Sequence, residues 1–309
     1  MSEPSIFNDV LGPVMRGPSS SHSAGALRIG RLVRQLMDCK LKHLLVEYDP
    51  NGALVTTHKD QGTDMGLAGG LLGWDPTDER LVDYKKHIGA SPIDIEVKYV
   101  SYGATHANTY KLTLSNESEK HTMTALSVGG GMIEVIEIDG AKLSIGGDTY
   151  ELIIYIENKE VASHEALKEG EAFLGKSKPF VRFSNTTGFE TSFVDELNNI
   201  PGVVSTKLLD PVLPILKVEA ELPFTNSEEM EIYSNKNNLS LWECAIKYES
   251  ARSGFSEEKL FEMMLNLVKI MKSAVQAGIK GTSFEDRILP PKLLILKRKR
   301  KPMHFLIVH

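Results

Sequence analysis

Cysteine is nearly absent from this sequence. Of its 309 residues only two are cysteines, Cys39 and Cys244, and they lie far apart in the chain. Two lone cysteines exclude a disulfide framework, and they also exclude a cysteine-rich metal site built within one chain. Both thiols are therefore predicted to be structural, as small apolar side chains.

Long apolar runs are also missing. The longest aliphatic stretches are far shorter than a bilayer requires. Residues 1–4 have neither the basic start nor the apolar run of a secretory signal. The sequence thus predicts a cytoplasmic protein with no membrane partner.

Glycine-rich cofactor loops of the familiar kinds are absent as well. Gly129-Gly130-Gly131 lacks the lysine of a phosphate-binding loop, and the chain has no Ser-x-Lys-x-Arg-Gly segment for pyridoxal phosphate. The three glycines are predicted to permit a bend or a close backbone approach between two strands.

The composition is that of a globular protein: a hydrophobic content of 41% and a charged content of 25% over 309 residues allow two or three domains. The formal net charge is -6 although the end of the chain is strongly basic. The basic residues there are Lys292, Lys297, Arg298, Lys299, Arg300 and Lys301. Because aromatic residues do not alternate with them and the rest of the chain is acidic, no nucleic-acid partner is expected.

What the sequence does have is a group of hydroxyl side chains directly before a helical pattern. The residues 19–23, here called the serine loop, are Ser19, Ser20, Ser21, His22 and Ser23. Apolar residues then recur at helical spacing, at Leu27, Ile29, Val33, Leu36 and Met37. Polar residues stand between them, at Arg28, Arg31, Arg34 and Gln35. The serine loop therefore lies at the amino end of an amphipathic helix with one buried stripe.

The amino end of a helix favours an anion. Its first backbone N–H groups lack partners within the helix, and the helix dipole attracts negative charge, so a carboxylate or phosphate is the expected ligand. Ser21 or Ser23 could also cap the helix. The alternative interpretation is an ordinary cap and loop without a ligand.

Four segments resemble a known family, in order along the chain. They are residues 13–23, Gln61-Gly62-Thr63-Asp64 followed by Gly69-Gly70-Leu71-Leu72, then His106-Ala107-Asn108-Thr109, and Ser127-Val128-Gly129-Gly130-Gly131. The family they resemble is that of the iron-sulfur-dependent L-serine dehydratases, in its beta portion. The resemblance covers residues 1 to about 145 and resumes from about 219 to 290.

The resemblance implies a lyase, an L-serine ammonia-lyase that forms pyruvate and ammonia. It implies a 4Fe-4S cluster whose open iron acts as a Lewis acid on the substrate hydroxyl. The substrate is then a small amino acid or hydroxy acid with a carboxylate. The residues that the resemblance places at the substrate are Ser19, Ser20, Ser21, His22, Ser23, Thr63, Asp64, His106 and Asn108.

The position of the general base departs from the family pattern. The family has a histidine where this chain has Gln61, and an amide cannot accept a proton at neutral pH. His58 is a weak candidate for the task, with His22 and His106 as others, although each could equally be a structural histidine. Thr63 could cap the helix that follows, and Asp64 suits its first turn, so both also have a structural interpretation.

The fold is predicted to be α+β. Residues 1–147 form a beta domain, with helices on one face of a largely antiparallel sheet. The predicted helices after the serine loop are 63–72 and 77–88, the latter capped at Asp75 and ended by Gly89. The predicted strands are 44–48, 93–100, 110–114, 120–128 and 132–138.

Residues 148–218 are predicted to form an ACT-like α+β lobe or a plain spacer. The pattern gives strands at 151–157, 180–184 and 203–209 and helices at 163–173 and 192–198. An ACT unit follows a βαββαβ order, and its third strand is expected between 186 and 191. A true ACT unit would bind a small amino acid or pair with a second copy of itself.

Residues 219–291 are predicted to be a linker and the first helices of the alpha, or catalytic, portion. Asn226 or Ser227 caps one helix, Ser240 and Glu243 form a capping box on the next, and Ser256 opens a third that ends before Gly278. The apolar face of that third helix is predicted to be buried. Its residues are Leu260, Met263, Met264, Leu267, Ile270, Met271 and Ala274.

Residues 292–309 do not continue the family pattern. We interpret them as an aberrant basic tail, left by a shifted reading frame or an early stop, so that the cluster-binding part is missing. The ligands of the cluster are then absent, and the chain alone is expected to hold no iron and to be inactive.

Two functions follow from this pattern. One is the beta part of an L-serine dehydratase, whose site is completed by a separate alpha chain. The other is a noncatalytic amino-acid-binding or assembly subunit. In either case a homo-oligomer is expected.

Overall fold

A computed structural model describes residues 4–12, 15, 17, 19–174, 178–214 and 221–281 of the chain. The tail at 292–309 lies outside the described residues, and so do residues 282–291 before it. The described part contains two sheets, which are mostly antiparallel, and several helices. The predicted α+β class is confirmed. In the described part of the chain no helix is both long enough and apolar enough to cross a bilayer.

The first lobe joins four α-helices to a six-stranded sheet. The helices are α1 (Ser20–Leu36), α2 (Leu54–Thr57), α3 (Thr63–Leu71) and α4 (Tyr84–Gly89). The strands are β1 (His43–Tyr48), β2 (Asp94–Tyr99), β3 (Thr109–Ser115), β4 (Lys120–Gly129), β5 (Met132–Ile138) and β6 (Ala141–Ile145). A π-helical turn, Ile6–Val10, precedes them, and a 3₁₀ helix, Glu79–Asp83, leads into α4.

The strand order of this sheet is β2-β1-β3-β4-β5-β6. All neighbouring strands are antiparallel except β1 and β2, which run parallel with Leu44 opposite Ile95. The alternation of apolar and polar residues predicts that strand 93–100 is antiparallel like the strands after it, and that prediction is wrong. The chain between β1 and β2 passes through α2, α3 and α4, and such a crossover returns a strand in the parallel direction.

Helix α1 crosses α3 at very short range because both helices carry glycine where they meet. A Cβ atom on Gly66 would lie 2.0 Å from the carbonyl oxygen of Ser23, and one on Gly70 would lie 2.0 Å from that of Leu27. The prediction that small residues in this helix allow close backbone approach is confirmed. The contact fixes the serine loop against the start of α3.

The helix predicted at 77–88 is broken into two short pieces. Asp75 does not cap it, since its carboxylate pairs with Arg31 at 2.7 Å. The cap is Asp78, whose side chain accepts the backbone N–H of Arg80 at 2.9 Å, and the turn that follows is 3₁₀. The helical start is therefore later than the Pro76 pattern predicts.

The second lobe is a four-stranded antiparallel sheet with one helix. Its elements are β7 (Tyr150–Ile156), a 3₁₀ turn (Val161–Ser163), β8 (Glu171–Phe173), β9 (Phe180–Asn185), α5 (Thr191–Asn198) and β10 (Val203–Leu209). The strand order is β10-β7-β9-β8. Strands 203–209 and 151–157 and helix 192–198 agree with prediction within a residue or so.

The helix predicted at 163–173 is wrong. That stretch is a 3₁₀ turn, further turns, and the strand β8. Gly170 lies against the sheet, where a Cβ atom would be 2.3 Å from Val181, and Leu167 is buried beneath the turns. Tertiary packing thus overrides the helical pattern. No strand forms at 186–191. The fourth strand of the lobe is instead β8, at Glu171–Phe173.

A chain of buried polar contacts joins the two lobes. Lys207 on β10 donates to Asp38 at 2.6 Å and to Glu119 at 2.7 Å, although its side chain is only 2% exposed. Beside them, the hydroxyl of Tyr155 on β7 donates to Asp139 at 2.7 Å. The two sheets are therefore held together by hydrogen-bonded charges as well as by apolar packing.

The third part of the described chain is helical, with α6 (Ser227–Asn237), α7 (Leu241–Ser253) and α8 (Glu257–Lys280). Asn226 caps α6, Ser240 and Glu243 form the capping box of α7, and Ser256 caps α8, as predicted. Helix α8 continues through Gly278 and ends at Lys280, with Gly281 as its C-cap, so the predicted end before Gly278 is wrong.

The predicted burial of α8 holds only for its first turns. Leu260 is buried against Phe7, whereas Met271 is 65% exposed. The amino-terminal segment ties to α7, since Ser5 Oγ donates to Glu249 Oε1 at 2.7 Å.

Candidate functional site

The serine loop forms the first turn of α1. Ser19 is the residue before the helix, with extended backbone angles, and Ser20, Ser21 and Ser23 lie within the helix. The Ser19 side chain makes no capping hydrogen bond, and Ser23 Oγ instead donates to the Ser19 carbonyl at 2.8 Å. The prediction that Ser21 or Ser23 caps the helix is therefore wrong, and the helix start has no side-chain cap.

The side chains of the serine loop converge on the imidazole of His22. Ser19 Oγ lies 2.9 Å from His22 Nδ1, and Ser21 Oγ lies 3.3 Å from Ser19 Oγ and 3.4 Å from the same ring nitrogen. Partial burial lowers the pKa of His22, which favours the neutral imidazole. Ser20 points outward and is exposed. The result is a half-buried group of hydroxyls at the positive end of a helix.

The segment before α3 lies directly against the serine loop. The backbone N–H of Ser19 donates to the Gln61 carbonyl at 3.3 Å, and His22 Nε2 lies 3.3 Å from Thr57 Oγ1. Gly62, at φ 90°, turns the chain into α3, a left-handed backbone conformation that glycine adopts freely. Thr63 is thus the first helical residue and not the cap, and Asp64 lies in the first turn as predicted.

A buried histidine lies next to this contact. His58 Nδ1 is 2.7 Å from Asp64 Oδ1, and His58 Nε2 is 2.8 Å from the hydroxyl of Tyr99. The His58 side chain is 3% exposed, whereas Tyr99 at the end of β2 is half exposed. A carboxylate, an imidazole and a phenol thus form a continuous hydrogen-bonded chain from the interior to the surface. Gln61 is half-buried, and within the described chain its side chain makes no hydrogen bond.

The hydroxyl of Tyr48, whose ring packs on His58, is buried without a hydrogen-bond partner among the described residues. The hydroxyls of Tyr110 and Thr63 are buried as well and lie against each other. The Tyr48 ring lies 5.3 Å from the His58 ring and 5.7 Å from that of Tyr110, centroid to centroid. Burial raises the pKa of both tyrosines, so both are neutral near pH 7. Unpartnered buried polar atoms are rare in folded proteins and need an explanation.

The sequence does not predict this role for the tyrosines. Tyr48 and Tyr110 look like ordinary inward-facing residues of two strands, and Tyr99 like an edge-strand residue. Their convergence depends on the β2-β1-β3 pairing. A weak signal existed, because a buried tyrosine needs a partner for its hydroxyl.

The third predicted segment reaches the serine loop through Ser127. The Ser127 hydroxyl donates to the Ser21 carbonyl at 2.9 Å, and the Ser127 N–H donates to the Asn108 carbonyl at 3.1 Å. His106 Nδ1 accepts the Asn108 N–H at 3.1 Å, so that imidazole supports its own loop. Asn108 Oδ1 is buried without a partner among the described residues.

Asp49 holds the loop between β2 and β3 in place. Its carboxylate accepts backbone N–H groups from Asn51, Tyr102, Gly103 and Ala104, at distances of 3.0, 3.0, 2.8 and 3.1 Å. These hydrogen bonds outweigh burial and lower the pKa of Asp49 to about 2. The loop that carries His106 and Asn108 is thereby anchored to the end of β1.

The chain does not fit a resident iron-sulfur cluster. Such a cluster is held by several converging thiolates, commonly four. This chain has two cysteines, of which Cys39 is exposed and Cys244 is buried in α7. Within the described ranges no three histidine, cysteine, aspartate or glutamate side chains are grouped to hold a metal ion. The arrangement offers hydroxyl donors beside an imidazole and a second, hydrogen-bonded imidazole, and the described residues contain no metal ligand set.

Comparison with curated proteins identifies relatives of this chain. It is 32% identical over 219 residues to the probable L-serine dehydratase, beta chain, of Bacillus subtilis (strain 168), which covers 67% of this chain and 98% of that protein. It is 30% identical over 167 residues to the L-serine dehydratase, beta chain, of Peptoniphilus asaccharolyticus, which covers 53% of this chain and 74% of that protein. No family model matches the chain.

Proposed function

The chain belongs to the L-serine dehydratase beta-chain family, and from that premise we propose that it supplies the carboxylate-binding part of a site that converts L-serine to pyruvate and ammonia. The observation that carries this proposal is the uncapped start of α1. Three backbone N–H groups and the hydroxyls of Ser19 and Ser21 are gathered there, beside His22. Such donors and the helix dipole favour an anion, and the anionic group of L-serine is its carboxylate.

We assign the proton transfers to the hydrogen-bonded series Asp64–His58–Tyr99. The reaction removes the α-proton of serine and its hydroxyl as water, and the resulting aminoacrylate becomes an imine that water converts to pyruvate and ammonia. Tyr99 is the exposed end of the Asp64–His58–Tyr99 chain, so its phenol oxygen can pass a proton to His58 Nε2. Gln61 cannot accept a proton, and we assign it no acid–base role. Thr63 lies at the buried side of the same group.

The Lewis acid that assists departure of the substrate hydroxyl is not part of this chain. Its two cysteines cannot hold the 4Fe-4S cluster that the family name implies. The relatives are named as beta chains, which points to a separate alpha chain. We propose that an alpha chain holds the cluster and completes the site over the serine loop.

The helical region offers a surface for that partner. Apolar side chains of α7 and α8 are exposed, among them Trp242 at 59%, Met271 at 65% and Val275 at 60%. Residues 219–291 resemble the opening of an alpha portion, and an exposed apolar face is what such helices would present to the remainder of that domain. The alpha chain is therefore the proposed occupant of this face.

The domain division follows the same logic. We propose a beta domain over 1–147, an ACT-like lobe over 148–218 and alpha-type helices over 219–291. The support is that β6 ends at Ile145, β7 begins at Tyr150 and α6 begins at Ser227. The strand order β10-β7-β9-β8, with a helix between β9 and β10, supports a βαββαβ unit whose first helix is reduced to a 3₁₀ turn.

Calorimetric titration of L-serine into the full chain tests the carboxylate site. The proposal expects binding, with a Kd that rises about tenfold in Ser21→Ala because a hydrogen bond to a charged group contributes about 1.5–3 kcal/mol. Ser144→Ala, at an exposed position of β6, is the matched control and should bind as the parent does. Equal L-serine binding by both variants would show that the serine loop is not part of the binding site. A noncatalytic binding subunit would show the same titration, and only reconstitution with an alpha chain separates the two functions.

A further inference from the structure

Arg28 is a buried cation on α1. Its side chain is 1% exposed, its Nη1 donates to the Gly131 carbonyl, and its Nε has no hydrogen-bond partner in the part of the chain that the structure describes. Among the described residues no carboxylate forms an ion pair with it. The sequence placed Arg28 on the polar face of α1, and that prediction is wrong. Burial, and then the charge of Arg31, lower its pKa to about 10, so it remains protonated at neutral pH.

An arrangement of this kind is costly for the folded chain. An ionised side chain taken out of water needs a partner of opposite charge or a full set of hydrogen-bond acceptors. One carbonyl oxygen satisfies only part of the five N–H donors of a guanidinium, and the Nε donor stays unpaired among the described residues. A bound anion beside Arg28 would offset this cost.

A cavity lies beside this guanidinium. It has a volume of about 390 Å³, and it is walled by α1, by the residues 211–214 that follow β10, and by α8. Arg31, one turn beyond Arg28, also lines it, with Asp75 on one side of that guanidinium at 2.7 Å. Thr77 and Asn266 add a hydroxyl and an amide to the wall. The cavity is within the size range of small-molecule sites.

We propose that this cavity is a second binding site, separate from the serine loop, for a small organic oxyanion held between Arg28 and Arg31. A guanidinium presents a planar fork of donors that matches a carboxylate or a phosphate. The apolar part of the wall, at Phe7, Met263 and Leu267, suits the carbon skeleton of such a ligand. The wall contains the guanidinium groups of Arg28 and Arg31 and the carboxylate of Asp75, so one positive charge is left to pair with the ligand.

The cavity lies where three parts of the chain meet. Its walls come from the beta domain, from the end of the second lobe and from α8. A ligand that binds only the folded arrangement stabilises it in proportion to its concentration over its Kd. An oxyanion would therefore fix α8 against α1.

Thermal unfolding of the full chain tests the proposal. Sodium pyruvate represents the carboxylates and inorganic phosphate represents the phosphates, each compared with sodium chloride at matched ionic strength. We expect one of the two oxyanions to raise Tm, and we expect its Kd to rise by at least about tenfold in Arg28→Met and in Arg31→Gln. Arg34→Gln is the matched control, since Arg34 lies on the same helix and does not line the cavity.

Three variants keep the outcome clear. Arg28→Met removes an uncompensated buried charge, so without anion it should be as stable as the parent or more so. Arg31→Gln changes a partly exposed side chain and carries the test even if Arg28→Met does not fold. Ser21→Ala should keep the full response to the oxyanion, which separates this site from the proposed carboxylate site.

The proposal fails if neither oxyanion raises Tm above the chloride control. It also fails if the response persists in Arg31→Gln but disappears in Ser21→Ala, because the anion would then occupy the serine loop.

Discussion

His58 Nδ1 lies 2.7 Å from Asp64 Oδ1, across the turn that leads into α3, and Gln61 in that turn accepts the backbone N–H of Ser19 in the serine loop. This contact fixes the imidazole so that its other nitrogen faces the Tyr99 hydroxyl at 2.8 Å. The carboxylate thus orients a buried histidine, and the histidine in turn orients a half-exposed phenol.

The first prediction concerns Tyr99 and Gln61. In the chain assembled with an alpha chain, Tyr99→Phe should lower kcat by about 100-fold with little change in KM, since a positioned acid–base group contributes about 10²–10⁴ in rate. Gln61→Ala should change kcat by less than about threefold, because an amide is neither a general acid nor a general base at neutral pH. Steady-state pyruvate formation measures both. A large loss in Gln61→Ala with none in Tyr99→Phe would contradict the assignment.

The second prediction concerns the crossing of α1 and α3. Gly66→Ala should destabilise the protein by about 3 kcal/mol, at the upper end for overpacking, because the new Cβ would meet a backbone carbonyl that has no room to move. Gly89→Ala is the matched control, since Gly89 ends α4 with nothing within 4 Å of a new Cβ. That variant should be neutral or more stable by up to about 1 kcal/mol. Urea unfolding of both variants decides between these results.

The third prediction concerns pH and the junction between the lobes. Burial raises the pKa of Asp139, but hydrogen bonds from His121, Tyr155 and the Thr122 N–H outweigh it and hold that pKa below its usual value. A depressed folded-state pKa gives stability that is fully present above the unfolded pKa and is lost as pH falls through the folded pKa.

Asp139→Asn should therefore cost about 2 kcal/mol at about pH 7, and the difference from the parent should shrink towards about pH 3. Asn tolerates the left-handed backbone at this position, where φ is 49°. Asp94→Asn, on an exposed pair with His43, should show little effect at either pH. Urea midpoints across the pH range test this, and a constant difference at all pH values would contradict it.

The fourth prediction concerns the two thiols. Cys39 is exposed and Cys244 is buried, so the native chain should react with one equivalent of a thiol reagent and the unfolded chain with two. Cys39→Ser should abolish the native reaction and leave the total in denaturant at one. Rapid reaction of both thiols in the native chain would show that α7 does not bury Cys244.

The fifth prediction concerns the anchored loop. Asp49→Ala removes the acceptor of several backbone N–H groups, so the amides of Tyr102, Gly103 and Ala104 should exchange with solvent faster. Amides in β4, such as that of Met123, should keep their protection. Hydrogen exchange read residue by residue tests this. Unchanged exchange at Gly103 would mean that the loop is held by other contacts.

Local patterns predicted those elements whose chemistry is local. The capping box at Ser240 and Glu243, the Asn226 cap and the strand at 203–209 all depend on neighbouring residues, and each was predicted correctly. The family resemblance carried by four segments is confirmed by the relatives. The substrate roles of the serine loop, Thr63, Asp64, His106 and Asn108 remain predictions.

Features that depend on distant residues were not predictable. The helix expected at 163–173 failed because Gly170 lies against Val181 of another strand. Arg28 looked like a surface residue because its carbonyl partner, Gly131, is far away in the sequence. The tyrosines around His58 come from three strands whose pairing the alternation of apolar and polar residues does not reveal.

The most direct test is pyruvate formation from L-serine by the purified chain, measured alone and after addition of a separately produced, cluster-loaded alpha chain. The account predicts no pyruvate from this chain alone or from the alpha chain alone, steady formation from the mixture, and strong reduction in the mixture when the chain carries Ser21→Ala. Pyruvate formation by this chain without a partner, or a mixture that binds L-serine and stays inactive, would contradict it.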